Sequence, residues 1–297
     1  MTLNEWKAKN SKSKGYTHFD ERTNVYKTWD YIKKADNISK HGFYPLIKQN
    51  IVFKKYNNVD GITPKSREIA YSAHIDRLIL SYYNFKLNNM YNEVALLKDI
   101  NNNVIAYRDI HGKSNIEYSK MAFDFVKKQK QAVILVGDFT DFFGSLDHKY
   151  LKKKMLEVMG LDTLPEDYYS IYKYVTRYSY CEVEDLIRLN GFEDNKKGRK
   201  KFRNLDRALT IKMFRENKSS ILKTHNKSFG IPQGTAISAL LSNIYMMDFD
   251  KSVTEYVESL NGLYMRYSDD FIIILPNRKL EYAKNDYKNI IKTISEI

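Results

Sequence analysis

The residues best suited to chemistry in this sequence are aspartates at the ends of short apolar runs. Asp138 follows the run Ala132–Val136, and Asp269–Asp270 separates two further runs, Leu263–Tyr267 and Phe271–Leu275. Each run has the length and composition of a β-strand, and a tight polar turn between two such runs is typical of a hairpin. Carboxylates on rigid elements are ligands that Mg²⁺ prefers, and two divalent ions about 3.5–4 Å apart support phosphoryl transfer. The pattern therefore favours a two-metal phosphoryl-transfer site.

A glycine-bracketed loop, Gly230-Ile231-Pro232-Gln233-Gly234, lies between the two aspartate segments. The chain contains only 12 Gly and 5 Pro, so their concentration in one pentapeptide is informative. Proline fixes one φ angle, and glycine lets the backbone turn sharply and approach a ligand closely. Apolar residues with helical spacing follow, which predicts a helix with one apolar face. That face comprises Ile237, Leu240, Leu241, Ile244 and Met247. We expect the loop to contact an incoming nucleotide and a template base.

The charge balance indicates the kind of partner. Among 297 residues, 49 Lys and Arg stand against 36 Asp and Glu, a formal net charge of +13. Such an excess favours a polyanionic partner, either nucleic acid or an anionic membrane surface. Six basic residues crowd one stretch of eight positions: Lys196, Lys197, Arg199, Lys200, Lys201 and Arg203. This stretch either follows a phosphate backbone or forms an ordinary solvated face.

Composition also excludes several classes of protein. Hydrophobic residues make up 43% of the chain, enough for a sizeable core, so wholesale disorder is excluded. Cys181 is the single cysteine, which excludes a disulfide framework and a cysteine-based zinc site and suits a reducing cytosol. The N-terminus has no apolar core of a signal peptide, and the run Phe271–Leu275 is far shorter than a membrane helix. We therefore expect a soluble cytoplasmic protein.

Local patterns predict several elements that position these residues. Ser114–Glu117 matches a capping box that opens a helix. A second helix is expected from about Leu146, and Gly160 is placed to end it. Residues 1–60 favour short helices and loops, and residues 161–227 favour mixed helix.

The three segments, in this order, resemble the palm of reverse transcriptases, and they are most similar to bacterial retron, abortive-infection and defence-associated members. The resemblance implies an α+β fold of the right-hand polymerase type, with fingers and a ferredoxin-like palm sheet packed by helices. It divides the chain into fingers and N-terminal region (1–130), first catalytic palm strand (131–150), a helical basic insertion (151–227) and the remaining palm (228–297). The chain stops at Ile297, inside the helix expected after the hairpin, so the thumb is expected to be absent from this sequence, either because it is a fragment or because another chain supplies the thumb.

The resemblance also assigns roles to individual residues. It implies metal ligation by Asp138, Asp269 and the backbone carbonyl of Phe139, with Asp270 as the supporting neighbour. The implied nucleotide-binding residues are Lys65, Arg67, Phe143, Gln233 and Gly234. Tyr267 and Ser268 are implied near the primer end. Two Mg²⁺ ions are the implied cofactors, with Mn²⁺ as a substitute.

Two upstream segments extend the resemblance. Ile75-Asp76-Arg77-Leu78-Ile79 is similar to the Asp-Arg segment of bacterial reverse transcriptases. Ala106-Tyr107-Arg108, followed by Lys113–Ile116, is similar to the run before the first catalytic strand in retron and defence-associated members. One departure is Ser238-Ala239, where the family usually has Ser-Pro.

The implied function is RNA-directed DNA synthesis, in an antiphage-defence or retron-like system. The implied partners are an RNA template, a DNA or RNA primer, dNTPs, a structured noncoding RNA, and a second chain or copy that supplies the thumb. The alternatives are an RNA-dependent RNA polymerase, a template-independent or protein-primed DNA polymerase, and an inert nucleic-acid-binding module. Phe143 favours DNA synthesis, because a bulky ring there would leave a ribose 2′-hydroxyl unpaired.

Overall fold

The computed structural model describes residues 1–57, 61–108, 112–279, 281–282, 284–286 and 288. The chain divides into two compact units. Unit 1 comprises Met1, Lys86–Leu161 and Ala239–Ile297, and unit 2 comprises Thr2–Phe85 and Asp162–Ser238. Across the described ranges, no helix has both the length and the apolar character needed to span a bilayer.

The helices, in chain order, are α1 (Leu3–Lys9), α2 (Val25–Ile32), α3 (Ala35–Ser39), α4 (His74–Leu97), α5 (Asn115–Lys127), α6 (Phe142–Ser145), α7 (His148–Met159), α8 (Glu166–Thr176), α9 (Val183–Leu189), α10 (Lys196–Arg203), α11 (Ile211–Ile221), α12 (Ser238–Tyr245) and α13 (Met247–Ser259). The strands are β1 (Leu46–Asn57), β2 (Gly61–Tyr71), β3 (Ala132–Asp138), β4 (Ser179–Glu182), β5 (Lys223–Thr224), β6 (Leu263–Tyr267) and β7 (Asp270–Pro276). Helices α4 and α12 carry the chain between the units.

Unit 1 is built on a three-stranded antiparallel sheet in the order β3-β7-β6. Helix α5 packs against it, and Tyr118 and Ala122 of α5 share a buried cluster with Met265 and Ile274. Gly137 lies opposite Phe271, whose ring lies where a β-carbon at position 137 would be, so a glycine is needed beside the strand end. This sheet carries the predicted aspartates.

Unit 2 contains a four-stranded sheet in the order β2-β1-β4-β5. Strands β1 and β2 pair antiparallel over their whole length, and β4 adds to β1 in parallel. One buried cluster joins Ile47 of β1 to Cys181, Leu186, Ile187 and Phe202. The base of the hairpin is therefore anchored in a core that includes α9 and α10.

Most of the predicted elements are confirmed. The backbone amide of Ser114 donates to Glu117 Oε2 at 2.6 Å, so the capping box opens α5 as expected. Helix α7 ends at Gly160 in the left-handed conformation, with φ +63°. Strands β3, β6 and β7 lie where the apolar runs predicted them.

Two expectations differ from the structure, and a third concerns residues that the structure mostly does not describe. Residues 1–60 contain not only short helices but also the long strand β1, which gives no alternating pattern because Ile51, Val52 and Phe53 are all exposed. The helix after the glycine loop ends at Tyr245, so Met247 belongs to α13. The helix expected after the hairpin lies mostly outside the described residues.

Candidate active site

The three predicted aspartates lie at one edge of the sheet in unit 1. Asp138 ends β3 and Asp270 begins β7, and the two face each other directly in the antiparallel pairing. Directly opposed residues project to the same face, and both aspartates are exposed. Asp269 comes just before β7, and its backbone carbonyl accepts a hydrogen bond of 3.0 Å from the amide of Phe139. The strand end and the hairpin turn are therefore directly bonded.

The hairpin turn has an unusual backbone. Tyr267 and Asp270 pair across the strands, which leaves Ser268 and Asp269 as a two-residue loop. Ser268 has φ +59°, the left-handed value that type II′ turns require at their first central position. A residue other than glycine in a sparsely populated region costs about 1–3 kcal/mol and persists only where its surroundings hold it. Ser268 is 3% exposed, so the residues packed around it can hold this backbone conformation.

A buried ion pair holds this turn. Arg266 Nη1 donates to the carbonyl of Ser268 at 2.8 Å, while Nε and Nη2 donate to the two oxygens of Asp250 at 2.7 and 2.6 Å. Both charged side chains are completely buried. Burial alone lowers the pKa of Arg266, but the Asp250 carboxylate outweighs it and raises that pKa, so the guanidinium stays charged. Tyr264 donates its hydroxyl hydrogen to Asp250 at 2.7 Å and completes the network.

The segment Ala106-Tyr107-Arg108 also contacts the hairpin. The backbone amide of Ile105 donates to the carbonyl of Arg266 at 3.0 Å. Tyr107 donates from its hydroxyl to Ser268 Oγ at 3.3 Å, and its ring lies 6.2 Å from that of Tyr267. Arg108 is buried instead, and donates to the carbonyl of Asn101 at 2.8 Å. Tyr107 therefore supports the turn, and Arg108 stabilises the segment that carries it.

Phe143 follows the first aspartate on the short helix α6. Its neighbour Phe142 is buried and stacks on Phe139 at a centroid distance of 5.7 Å. Phe143 itself is only half-buried, with its ring 5.4 Å from that of Phe142. The aromatic cluster therefore holds a ring that still presents part of its surface to solvent.

The other predicted nucleotide-binding residues lie in unit 2. Lys65 and Arg67 are exposed on β2, and the guanidinium of Arg67 lies 5.6 Å from the centre of the Phe53 ring. Arg77, in contrast, is half-buried and donates to Asn10 Oδ1 at 2.9 Å, so it stabilises the fold. Of the basic residues that the resemblance singles out in this region, Lys65 and Arg67 are the ones open to a ligand.

The Gln233-Gly234 loop is fastened to β2. The backbone amide of Ala70 donates to the carbonyl of Gln233 at 2.8 Å. Gly234 has φ +112°, and a β-carbon there would lie 2.8 Å from the Ala70 carbonyl oxygen and 2.6 Å from Ile69 Cγ2. Gly234 therefore approaches strand β2 closely, and the expected contact of this loop with a nucleotide stays a prediction.

The structure thus collects the predicted residues into two groups. Unit 1 brings together those expected to hold metal, primer and sugar: Asp138, Phe139, Phe143, Tyr267, Ser268, Asp269 and Asp270. Unit 2 carries those expected to contact the triphosphate and the base pair: Lys65, Arg67, Gln233 and Gly234.

The donor set in unit 1 fits a hard divalent cation. Over the described ranges, no three His, Cys, Asp or Glu side chains form a closed metal cage. Mg²⁺ does not need one, since it is commonly bound by one or two carboxylates, with waters and substrate phosphates as the remaining ligands. In the same part of the chain, the carboxylates of Asp138 and Asp269 form no salt bridge with a lysine or arginine, so no resident cation neutralises them.

Comparison with known proteins agrees with this arrangement. Residues 54–297 match the family described as reverse transcriptase (RNA-dependent DNA polymerase). Because this range is most of the chain, the chain belongs to the reverse transcriptase family. Polymerases of this family generally use divalent metals.

A solved structure shows the same fold. A structure of apo telomerase from Candida tropicalis, truncated from its C-terminal domain, aligns over 93% of this chain and 52% of its own, with TM-score 0.50 and 11% identity. A structure of telomerase from Candida albicans with a fragment of telomeric RNA aligns over 93% and 47%, with TM-score 0.45 and 12% identity. This chain therefore spans about half the length of these structures. No curated protein matches it.

Sequence reasoning missed the residues that support the turn. Arg266 stands inside an apolar strand run, and Asp250 lies on α13, whose neighbours Phe249 and Val253 are buried. A charged residue within a strand that is otherwise apolar needs a buried partner of opposite charge. The sequence therefore indicated that Arg266 pairs with a buried carboxylate. Its partner, 16 residues away, was not evident without the fold.

Proposed function

We propose that this chain is an RNA-directed DNA polymerase that adds dNTPs to a primer 3′-hydroxyl, with unit 1 as the palm and unit 2 carrying the fingers. The observation that carries the proposal is the in-register pairing of Asp138 with Asp270, beside a supported turn that presents Asp269. Family membership supports the reaction class.

In the proposed reaction, Asp138 and Asp269, with the carbonyl of Phe139, hold two Mg²⁺ ions, and Asp270 supports them. When bound, such ions activate the hydroxyl nucleophile and neutralise charge on the transferring phosphoryl and leaving groups. Tyr267, which is 36% exposed, and the supported Ser268 position the primer end.

The residues of unit 2 bind the nucleotide in this proposal. Arg67 presents a planar guanidinium that binds phosphate through two hydrogen bonds, and Lys65 adds a second positive charge. Gln233 and Gly234 contact the nascent base pair through a loop held against β2. Phe143 excludes the ribose 2′-hydroxyl, which favours DNA synthesis over RNA synthesis.

The finer identity rests on sequence resemblance. The similarity of Ala106-Tyr107-Arg108 to the run before the first catalytic strand in retron and defence-associated members supports a retron-like or defence-associated enzyme, which is proposed to act in the cytoplasm. An RNA template and a DNA or RNA primer are the proposed partners, together with a structured noncoding RNA.

A primer-extension assay tests the proposal. Poly(rA)/oligo(dT) with dTTP and Mg²⁺ should be extended, and a reaction without template should not. Asp138→Asn and Asp269→Asn should each abolish extension while the unfolding transition stays unchanged. Asp162→Asn, at an exposed aspartate of unit 2, is the matched control and should keep full activity. Extension by the Asp138→Asn variant, or synthesis that ignores the template, would overturn the proposal.

A further inference from the structure

Helix α10 presents a basic face that no acidic residue neutralises in the described part of the chain. At about 100° per residue, Lys196, Lys197, Lys200, Lys201 and Arg203 occupy an arc of about 160° around the helix. All five are exposed, whereas Gly198 and Phe202 on the opposite side are buried. The side chain of Phe202 lies in the core cluster of unit 2, so the helix cannot roll away from this orientation.

The contrast with Arg199 on the same helix is informative. Its guanidinium donates to Glu184 at 2.7 Å and forms a salt bridge of 2.6 Å with Asp194. Among the residues that the structure describes, none of the five members of the basic face has such a partner; Lys201 only approaches the ring of Phe192, at 5.7 Å. The nearby carboxylates are thus used on the inner side, and the outer charges remain available for a polyanion.

A cleft of about 360 Å³ adjoins this helix within unit 2. Its lining includes Tyr16, Gln49, Ile69, Tyr71, Phe202 and Arg203. Arg203 belongs to both features, since it ends the basic face and lines the cleft. Tyr71 and Arg203 both line this cleft, so an aromatic ring and a guanidinium are available within it.

The chemistry of the basic face and of the cleft indicates the class of ligand. Apolar and aromatic walls with a few polar groups suit a planar base, and an arginine plane or an aromatic ring is a usual stacking partner for an unpaired base. Paired bases are stacked inside a duplex and cannot enter such a cleft, so the ligand is single-stranded. A membrane surface is disfavoured, because α10 has no exposed apolar face to insert among lipids.

We propose that α10 and this cleft form a binding site for single-stranded RNA, in which the lysines contact successive phosphates and one base enters the cleft beside Arg203. The proposal rests on the proposed function in one respect, since it takes the RNA to be the unpaired part of the template.

Binding of a fluorescein-labelled 12-nucleotide oligo(rU) to the full chain, without metal or dNTP, tests the role of the lysines. The Lys196→Gln, Lys197→Gln, Lys200→Gln, Lys201→Gln variant should bind at least tenfold more weakly at 0.15 M salt. The slope of log K against log[salt] should become shallower by about 0.7 for each phosphate that the variant no longer neutralises. A matched variant with the same change at Lys27, Lys33, Lys34 and Lys40, all exposed in unit 2, should behave as the wild type. Equal slopes in the wild type and the α10 variant would overturn the proposal.

A second arm tests the base in the cleft. The wild type should prefer oligo(rU) to an abasic strand of the same length by about fivefold or more, and a duplex RNA should bind more weakly still. Arg203→Ala should abolish the preference, and Arg215→Ala, at an exposed arginine of α11, should keep it. Equal binding of normal and abasic strands by the wild type would overturn the cleft assignment, as would duplex binding as tight as single-strand binding.

Failure of this site and failure of the polymerase proposal are distinguishable. Asp138→Asn should bind oligo(rU) as the wild type does, because the binding assay needs no catalysis. Lack of primer extension by a wild type that still shows the predicted binding would reject the polymerase proposal alone. Full extension together with an unchanged salt slope in the α10 variant would reject the RNA site alone.

Discussion

The guanidinium of Arg266 binds both carboxylate oxygens of Asp250, at 2.7 and 2.6 Å, and neither side chain has any exposed surface. The same guanidinium holds the carbonyl of Ser268, whose backbone has a positive φ angle. The hairpin turn thus depends on a charge pair on its inner side, and the proposed metal ligand Asp269 is positioned by residues that are completely buried. Arg266 and Asp250 are positioning residues in this sense.

Asp250→Ala should lower the free energy of unfolding by about 3–5 kcal/mol, because it leaves a buried guanidinium without its partner. Urea denaturation measures this change. The double variant Arg266→Met, Asp250→Leu should recover much of that stability, since apolar groups of similar volume often replace a buried pair at little cost. Primer extension should remain low in the double variant, because the Ser268 carbonyl still lacks its donor. Full extension activity in the double variant would contradict a positioning role.

Gly234→Ala should be considerably more harmful than alanine at another glycine with positive φ. Gly191 has φ +71° and open space around it, so Gly191→Ala should cost only the backbone strain, about 1–2 kcal/mol. At Gly234 the new β-carbon would also overlap the Ala70 carbonyl and Ile69, which adds about 1–3 kcal/mol. Chemical denaturation of both variants checks the order. Equal destabilisation of the two would mean that β2 yields easily to the added methyl group.

The parts of the site that sequence could predict are those that depend on local pattern. The run Ala132–Val136 and the hairpin around Asp269–Asp270 have the length and β-type residues of strands, and the structure confirms both. Strand β1 was missed, because residues 51–54 are all exposed and polar and apolar residues do not alternate there. A strand of that kind is specified by its pairing with β2, which is a long-range property.

The difference between local pattern and long-range contact also applies to the glycine loop and to the basic stretch 196–203. The glycine pattern at Gly230–Gly234 predicted close approach of backbone, but only the fold identifies Ala70 as the group approached. The basic stretch 196–203 was evident as a charge run, and the structure separates Arg199, which is paired inward, from the exposed lysines. Sequence therefore nominated candidate residues, and tertiary contacts decide which of them are open to a ligand.

Phe143→Ala should relax sugar selection. If the half-buried ring lies beneath the incoming sugar, the wild type should favour dNTPs over rNTPs by about a hundredfold or more, since a ribose hydroxyl would be crowded and unpaired. The variant should gain rNTP use while its dNTP incorporation changes little, because the barrier is repulsion. The ratio of kcat/KM for dTTP and UTP measures both effects.

Phe123→Ala is the matched control for this change, since Phe123 is 68% exposed on α5. It should leave the sugar preference unaltered. Equal use of rNTPs and dNTPs by the wild type would favour an RNA polymerase instead. An unchanged preference in Phe143→Ala would assign the sugar gate to another residue.

The last prediction concerns pH, and it depends on the fully buried His18. Its Nδ1 accepts a hydrogen bond of 2.9 Å from the amide of Phe19, and its Nε2 lies 3.2 Å from the carbonyl of Tyr71, so the folded protein holds a neutral ring with the proton on Nε2. Burial lowers the pKa of His18 to about 3. In the unfolded chain the pKa is about 6.5.

Below pH 6.5 His18 therefore binds a proton in the unfolded state but not in the folded state, so the free energy of unfolding decreases as pH falls. The contribution is fully present above about pH 7, and about 2 kcal/mol of it is lost by pH 5. His18→Gln keeps one donor and one acceptor without a titrating group. The stability advantage of the wild type over this variant should therefore shrink by about 2 kcal/mol between pH 7 and pH 5. Burial also lowers the pKa of His74, so the stability of both the wild type and the His18→Gln variant should decrease further as pH falls. Urea denaturation at both pH values measures the difference. A difference that stays constant with pH would show that His18 binds its proton as readily in the folded state as in the unfolded chain.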